Sequence, residues 1–205
     1  LVGEIVDTFP KVAKKYGAET KYTATQAAEA LNFLALAGYK TEEAIELLPV
    51  VLDLAIAGGM DLASASDMVT DAMSALGLEM EDATRFTDEL ARTAQNSNTS
   101  VAQLGNAILT IGSTAKGMKN GTVELSTALG VLANSSYKGE EGGTKLRNIL
   151  LSLQAPTSNA ALVMENLGLK IYDAEGNMRG INEIFVDLQN SMDGFNAEEV
   201  DKVMN

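Results

Sequence analysis

Three stretches of this chain share one pattern of glycine, polar and apolar residues, at nearly equal intervals. They read GYKTEEAIELLPVVLDLA, GLEMEDATRFTDELARTA and GMKNGTVELSTALGVLA, and they begin at Gly38, Gly77 and Gly117, which lie 39 and 40 residues apart. In the first two copies a loop and a second helical segment follow, starting at Asp61 and Ser100. A period near 40 with two helices per unit is typical of stacked helical hairpins, in which no unit buries its apolar face alone. The alternative is a chance similarity among alanine-rich helices.

The second half of the third copy and the segment before the first copy fit this pattern less closely. In the third copy about two extra residues enter the loop SSYKGEEGG before the expected second helix at Thr144. The segment YTATQAAEALNFLALAG, which precedes Gly38, matches the second half of an earlier unit.

Within the repeats, apolar residues recur every three or four positions, which predicts amphipathic helices. The expected buried positions are Ile45, Leu48, Leu52 and Ala55, then Ala83, Phe86, Leu90 and Ala94, then Leu104, Ala107, Ile108 and Ile111. Thr41 is expected to cap one helix, and Ser100 with Gln103 fits a capping box. Pro49 follows Thr41 by about two turns and predicts a kink or a later helix start.

The pattern changes after Pro156, where shorter segments replace the repeats. A short helix is predicted around residues 159–167, followed by LGLKIYDAEGNMRGI, in which turn residues separate two short apolar runs. That arrangement predicts a small β-hairpin. A final helix is expected from Asn182 to about Met192. Its apolar side would carry Ile184, Phe185 and Leu188.

These patterns together predict an all-α array of packed helical hairpins, with a small β-hairpin near the C-terminus. Residues 1–156 would form the helical-hairpin repeat region. Residues 157–205 would contribute the short helix, the β-hairpin and the C-terminal helix, packed on the same domain. Because the chain begins at Leu1 and ends on VDKVMN without a stop signal, we expect it to be a segment of a longer protein.

The composition excludes several classes of function. With 28 Asp and Glu against 15 Lys and Arg, the net charge is -13. The basic residues are scattered, and affinity for a phosphate backbone depends on Lys and Arg, so we expect no specific nucleic-acid binding. The chain has no His and no Cys, which excludes thiol nucleophiles, disulfides and the usual imidazole base. The longest uncharged stretch, between Arg92 and Lys116, is rich in Asn, Gln, Ser and Thr, so no membrane span is expected.

The segment GGTKLRNILLSLQAP, from Gly142 to Pro156, places glycines, a threonine and a lysine ahead of an apolar run. A phosphate-binding loop requires GxxxxGK followed by Ser or Thr, usually after a buried strand. Here the order is Gly142-Gly143-Thr144-Lys145, and no strand is predicted before it. We therefore expect the glycines to form a turn and Thr144 to cap a helix. The buried face of that helix would be Leu146, Ile149, Leu150 and Leu153.

Two further motifs carry weak chemical signals. Ser113-Thr114-Ala115-Lys116 matches SxxK, in which a lysine activates a serine, but the partner motifs SDN and KTG are absent. Asp173, Glu175 and Asn177 alternate like calcium ligands, but this chain has Met and Ile where an EF-hand loop requires Gly and Glu. We therefore predict no catalytic, cofactor-binding or metal-binding residue, and no cofactor.

Four segments together resemble the core region of tail tape measure proteins of long-tailed bacteriophages and prophages. They are KYTATQAAEALNFLALAGYKTEEAIELLPVVLDLA, GGMDLASASDMVTDAMSALGLE, GVLANSSYKGEEGGTKLRNILLSLQAP and LGLKIYDAEGNMRGINEIFVDL, and the resemblance extends from about Ala13 to Met192. It lies in many spaced Gly, Leu, Ala and Pro positions in one order.

The resemblance implies a structural function. Tape measure proteins are long, mostly helical chains that lie in the lumen of the tail tube, set the tail length during assembly and leave ahead of the DNA. The partners so implied are the tail tube protein, tail assembly chaperones and the tail tip or baseplate hub, and self-association is expected. The implied location is the tail lumen of the virion, and the host cytoplasm during assembly. This segment departs from a continuous rod, because its glycines, Pro49, Pro156 and predicted hairpin require a compact domain.

Two other functions compete with this interpretation. A stand-alone helical-repeat scaffold would hold a peptide or partner helix on its concave face. A wall-degrading enzyme would need two carboxylates held across a cleft, and no pair of acidic residues stands alone in an apolar context. We therefore predict that the segment is not an enzyme.

Overall fold

A computed structural model of the chain describes residues 2–116 and 121–204, and the side chains of residues 7–116 and 121–200. These residues form eleven α-helices, two short 3₁₀ helices and no β-strand. The α-helices are α1 (Val2–Glu19), α2 (Ala24–Leu36), α3 (Thr41–Gly58), α4 (Leu62–Leu76), α5 (Ala83–Asn96), α6 (Val101–Ile111), α7 (Gly121–Asn134), α8 (Gly139–Gln154), α9 (Ser158–Asn166), α10 (Ile181–Ser191) and α11 (Ala197–Met204). The 3₁₀ helices are Met80–Asp82, ahead of α5, and Gly112–Ala115, after α6. The described part of the chain is therefore all-α, as predicted.

Helices α1 to α8 pack in two rows that alternate along the chain. One row contains α2, α4, α6 and α8 side by side in that order, and the other contains α1, α3, α5 and α7. Consecutive helices also pack across the rows, as α1 does on α2 and α3 on α4. The N-cap residues of the first row are Thr23, Asp61, Ser100 and Lys138, which lie 38, 39 and 38 residues apart. Most helix contacts are therefore made between near neighbours in sequence.

The core lies between the two rows and consists almost entirely of aliphatic side chains. The buried positions predicted for α3, α5 and α6 belong to it, although Ile45 and Ala94 are only partly buried. In α8 the predicted Leu146, Leu150 and Leu153 are buried and Ile149 is partly buried. The largest fully buried side chains are Phe86, Leu31, Leu34, Leu47, Leu48, Leu52, Leu54, Leu90, Leu104, Ile108, Ile111 and Leu125. With few aromatic residues available, leucine fills most of this volume.

Two of the predicted helix starts have capping side chains. Ser100 and Gln103 form a capping box, in which the N–H of Gln103 donates to Ser100 Oγ and the N–H of Ser100 donates to Gln103 Oε1, both at 3.2 Å. Asp61 caps α4, since the Ser64 N–H donates to Asp61 Oδ1 at 2.9 Å and the Ser64 hydroxyl to Oδ2 at 2.7 Å. The hydrogen bond from the Ser64 N–H, followed by that from its hydroxyl, holds the pKa of Asp61 below its usual range.

The start of α3 differs from the prediction. Thr41 is the first helical residue rather than the cap, which is Lys40, and the Lys40 N–H donates to Glu43 Oε2 at 2.8 Å. The carboxylate of Glu43 satisfies this terminal amide, so a hydroxyl at the cap position is not required. The later start inferred from Pro49 is also wrong, because α3 is continuous from Thr41 through Pro49 to Gly58.

Helix α8 begins at Gly139, five residues before the cap predicted at Thr144. Gly142 and Gly143 therefore lie inside the helix, and both are buried. A Cβ at Gly143 would lie 2.9 Å from the Cα of Ala107 on α6, and its carbonyl oxygen would be closer still. The predicted turn is wrong: both glycines are helical, and Gly143 allows α8 to approach the backbone of α6, whereas a Cβ at Gly142 would lie 2.7 Å from the Tyr137 carbonyl oxygen. Because α8 begins earlier than predicted, the loop before it does not contain the two extra residues inferred from the sequence.

The β-hairpin predicted after α9 does not form. An isolated antiparallel bridge joins Tyr172 and Met178, and the Arg179 N–H donates to the Ile171 carbonyl at 2.8 Å. Pairing cannot continue beyond this point, because Gly180 is already the N-cap residue of α10. The alternating sequence pattern therefore produces a closed loop between two helices, without strands.

The helices predicted on either side of that loop are present. The short helix expected around residues 159–167 is α9, and the helix expected to start at Asn182 is α10. In α10 Ile184 is buried, Leu188 is half-buried and Phe185 is exposed. It is not the final helix, because α11 follows it.

Candidate interaction surfaces

The Gly142–Lys145 segment lies within α8, so its backbone is engaged in the helix. The Gly142 N–H donates to the Lys138 carbonyl at 3.3 Å. The Lys145 ammonium lies 3.9 Å from Glu141 Oε1 and 4.1 Å from the centre of the Tyr137 ring. The Lys145 ammonium is therefore stabilised by Glu141 and Tyr137, without a phosphate group.

Ser113 and Lys116 lie in and just after the 3₁₀ helix that follows α6, where the Lys116 N–H donates to the Ser113 carbonyl at 3.0 Å. The lysine side chain extends to the C-terminal end of α4, because a Cβ at Gly77 would lie 2.6 Å from Lys116 Cε and 2.9 Å from Nζ. A cation at this position is favoured by the helix dipole of α4. The structure therefore gives Lys116 a role at a helix terminus.

The carboxylate of Asp173 is used by its own turn. Its Oδ1 accepts hydrogen bonds from the N–H groups of Glu175 at 3.1 Å and Asn177 at 2.8 Å. Within the described residues there is no group of three or more acidic side chains placed to hold a metal ion. These hydrogen bonds explain the aspartate at position 173, and they use the backbone N–H groups of Glu175 and Asn177 rather than their side chains.

A polar cavity of about 680 Å³ lies between α5 and α7. Its lining residues are Glu81, Thr84, Arg85, Asp88, Glu89, Arg92, Thr93, Val123, Ser126 and Thr127. Neither the Glu89 carboxylate nor the Ser126 hydroxyl has a hydrogen-bond partner among the described residues, and the polar atoms of both are buried. The Glu89 carboxylate is nearest to Arg85, whose Nε lies 3.9 Å from Oε1, but Asp82 Oδ1 holds the same guanidinium at 2.6 Å.

Sequence reasoning did not single out Glu89 or Ser126. Both lie beside leucines of the buried face, Leu90 in α5 and Leu125 in α7. Ser126 has Val123 and Leu129 at helical spacing, which is a signal for burial, whereas Glu89 has Phe86 and Arg92 at that spacing and carries no such signal.

An apolar groove of about 270 Å³ lies where α10 meets α7 and α8. Its walls include Ala128 and Val131 of α7, Ile149 of α8, and Ile181 and Phe185 of α10. Val131 is 62% exposed and Phe185 is 43% exposed. Exposed apolar side chains around a groove are typical of surfaces that contact other proteins.

No described helix combines the length and the apolar character needed to cross a bilayer. The polar cavity and the apolar groove described above both lie on α7. Both lie on a scaffold of packed α-helices.

Comparison with known proteins places this scaffold in a family. A family model described as phage-related minor tail protein matches residues 10–205. The chain is 33% identical over 183 residues to the tape measure protein of Pneumococcus phage Dp-1, which covers 89% of this chain and 16% of that protein. It is 27% identical over 183 residues to a probable tape measure protein of Escherichia phage P2, with 89% of this chain and 22% of that protein covered. No solved structure matches the chain.

The chain thus spans less than a quarter of the length of either relative. The match nevertheless extends over nearly all of its own residues, including most of α1, all of α2 to α8 and the helices that follow them. The family model covers far more than half of the chain, and the relatives are named as a tape measure protein and a probable tape measure protein. The chain therefore belongs to the phage tail tape measure protein family, a family of structural proteins of the phage tail.

Proposed function

We propose that this chain is a structural segment of a tape measure protein that sets tail length during assembly and occupies the lumen of the tail tube until genome ejection. The observation that carries the proposal is the similarity to two proteins named as tape measure proteins, over 89% of this chain in each case. The family is structural, and we propose no catalytic role for the segment.

The helical content of the chain supports a role in setting length. A continuous α-helix of 205 residues would be about 300 Å long, at a rise of 1.5 Å per residue. A compact domain of the same size has a radius of gyration of about 17 Å. The contribution of this segment to tail length therefore depends strongly on whether the helices stay packed or become extended.

We propose as partners the tail tube protein, the tail assembly chaperones and the tail tip or baseplate hub, together with self-association. The proposed location is the tail lumen in the virion and the host cytoplasm during assembly. The net charge of -13 supports a segment that shares a narrow tube with DNA without binding it. Tight binding of duplex DNA by this chain at moderate salt would contradict that part of the proposal.

We propose further that α1 to α8 form a repeat of helical hairpins with a period of about 40 residues, and that residues 157–205 pack on the same domain. The spacing of the N-cap residues of α2, α4, α6 and α8 supports this period. A hydrogen bond from the Asn182 N–H of α10 to Glu124 Oε1 of α7, at 2.9 Å, supports the packing of the C-terminal helices on the array.

An in-frame duplication of this segment in its parent phage tests the proposed role in tail length. We expect electron micrographs to show longer tails, by up to about 300 Å if the added copy is extended and by a few tens of Å if it stays compact. A duplication of equal length in a virion protein outside the tail is the matched control. An unchanged tail length, with the duplicated protein present in the virion, would contradict the proposal.

The alternative is a helical-repeat scaffold that binds another protein. The groove between α7, α8 and α10 favours it, because Val131 and Phe185 expose apolar surface there. A duplication that leaves tail length unchanged while a partner is still retained by the segment would favour this alternative.

A further inference from the structure

The contact between α5 and α7 differs from the contact between α6 and α8 in the other row. Helix α8 approaches the backbone of α6 closely at Gly143 and packs with Leu146 and Leu150, which are buried. Between α5 and α7 lies the cavity of about 680 Å³, and it continues into a second recess of about 290 Å³ that shares Arg92, Thr93 and Thr127 as lining residues. One row is therefore closely packed at its end, while the other leaves an open recess lined mostly by polar side chains.

Buried polar atoms concentrate on the same contact. Both oxygens of Glu89 on α5 and the hydroxyls of Thr122 and Ser126 on α7 are buried without a hydrogen-bond partner among the described residues. Thr122 and Ser126 are one turn apart and share a face of α7. The Glu89 side chain is only 13% exposed, and its ion-pair partner Arg85, 3.9 Å away, is shared with Asp82, so no hydrogen bond compensates for the burial of its oxygens. Buried polar groups without partners destabilise the packed state relative to an open one in which water reaches them.

The opposite end of this contact is held more firmly. The Asn98 N–H, just after α5, donates to the Asn134 side-chain oxygen at the end of α7, at 2.8 Å. Gly130 on α7 lies close to α5, because a Cβ there would be 2.8 Å from Ser97 Oγ and 2.9 Å from Thr93 Cγ2. The two helices are thus joined at their C-terminal ends and poorly matched towards the N-terminal half of α7.

From this geometry we propose that the array opens first between α5 and the N-terminal half of α7, pivoting at the Asn98–Asn134 end while α6 and α8 remain packed. Opening gives water to Glu89, Thr122 and Ser126, which removes the penalty for burying them. The proposal concerns the chain itself and does not depend on the role in tail length, although a compact segment that becomes extended would need such a first step.

The absence of cysteine from the chain allows a direct test with single thiols. Ser126 between α5 and α7 and Ser66 in α4 are each 1% exposed, and neither hydroxyl has a partner among the described residues, so Ser126→Cys and Ser66→Cys are matched variants. We expect Ser126→Cys to react with a maleimide or a disulfide reagent roughly tenfold faster than Ser66→Cys under native conditions. Equal rates, or faster reaction of Ser66→Cys, would overturn the proposal.

The cause of the opening is tested in the same background. Adding Glu89→Met removes the buried charge and is expected to slow the reaction of Ser126→Cys roughly tenfold. The control is Asp88→Asn, at the exposed neighbouring position, which is expected to leave the reaction rate of Ser126→Cys unchanged. An unchanged rate with Glu89→Met would overturn the assigned cause. Amide hydrogen exchange of the unmodified chain provides a measurement without thiols, with residues 125–128 expected to exchange faster than residues 143–153, since both segments lie beyond the free amides of a first helical turn. Equal protection of the two segments would overturn the proposal.

Discussion

Gly143 determines how closely two helices approach each other. It lies inside α8, and its missing side chain leaves room for the Ala107 backbone of α6. Glycine in a helix interior costs about 1 kcal/mol relative to alanine, because more backbone freedom is lost on folding. That cost is offset here by the contact that the absent Cβ permits.

Replacing Gly143 with alanine is therefore expected to destabilise the chain, although alanine is the better helix former. The new Cβ would lie 2.9 Å from Ala107 Cα, and overpacking of this kind costs about 1–3 kcal/mol. We expect a net loss of roughly 1–2 kcal/mol in the free energy of unfolding, measured by urea titration followed by circular dichroism. Thr144→Ala, on the exposed side of the same helix, is the control and should change stability by less than about 0.5 kcal/mol. A Gly143→Ala variant more stable than the unmodified chain would contradict the role given to this glycine.

Residue-level predictions succeeded where local spacing alone decides the structure. The capping box of Ser100 and Gln103 needs no information beyond the four residues that form it. The Gly142-Gly143 pair could not be interpreted in the same way, because glycine serves a turn and a close helix contact equally well. The position of α6, which depends on residues distant in sequence, decides between a turn and a close helix contact.

Helix α10 is tied to the array through its N-terminus. The Asn182 N–H, one of the free amides of its first turn, donates to Glu124 Oε1 of α7 at 2.9 Å. Ile181 and Ile184 are buried beside this bond. A carboxylate at a helix N-terminus is also favoured by the helix dipole. Glu124 thus links two helices whose sequences lie far apart.

Glu124→Ala is expected to loosen α10 without unfolding the array. The variant leaves the Asn182 N–H without its acceptor, and hydrogen bonds to charged groups contribute about 1.5–3 kcal/mol. We expect hydrogen exchange of residues 181–191 to accelerate roughly tenfold or more, while α2 to α4 keep their protection. Glu124→Gln keeps an acceptor oxygen and should show a smaller effect. Equal protection of α10 in all three proteins would rule out this link.

At the scale of elements, the sequence predicted the helices well, but it predicted strand pairing and helix–helix contacts poorly. The helices of the array have enough length for three- and four-residue periodicity to identify them. The hairpin prediction failed because alternation does not show how many residues remain before the next helix, and Gly180 already caps α10. The polar contact between α5 and α7 was missed because the buried faces were defined from apolar residues, so Glu89 and Ser126 were not considered.

The two rows of helices give the whole molecule a nearly one-dimensional organisation. Helix α2 packs on α1, α3 and α4, whereas α8 packs on α6 and α7. Stability in such an array is approximately a sum of terms from each unit and from the contacts between neighbours. Damage at one end is therefore expected to remain near that end.

Matched substitutions at the two ends test this organisation. Leu34 in α2 and Leu150 in α8 are both fully buried, and leucine-to-alanine changes in cores cost about 2–5 kcal/mol. We expect Leu150→Ala to reduce hydrogen-exchange protection in α6 to α8 and leave α1 and α2 nearly unchanged, and Leu34→Ala to show the reverse, because α2 and α8 pack mainly on helices near them in sequence. Peptide-resolved mass spectrometry measures both patterns in one experiment. If either variant lowered protection uniformly from α1 to α8, the chain would be a single cooperative unit, and the proposed first opening between α5 and α7 would lose its physical basis.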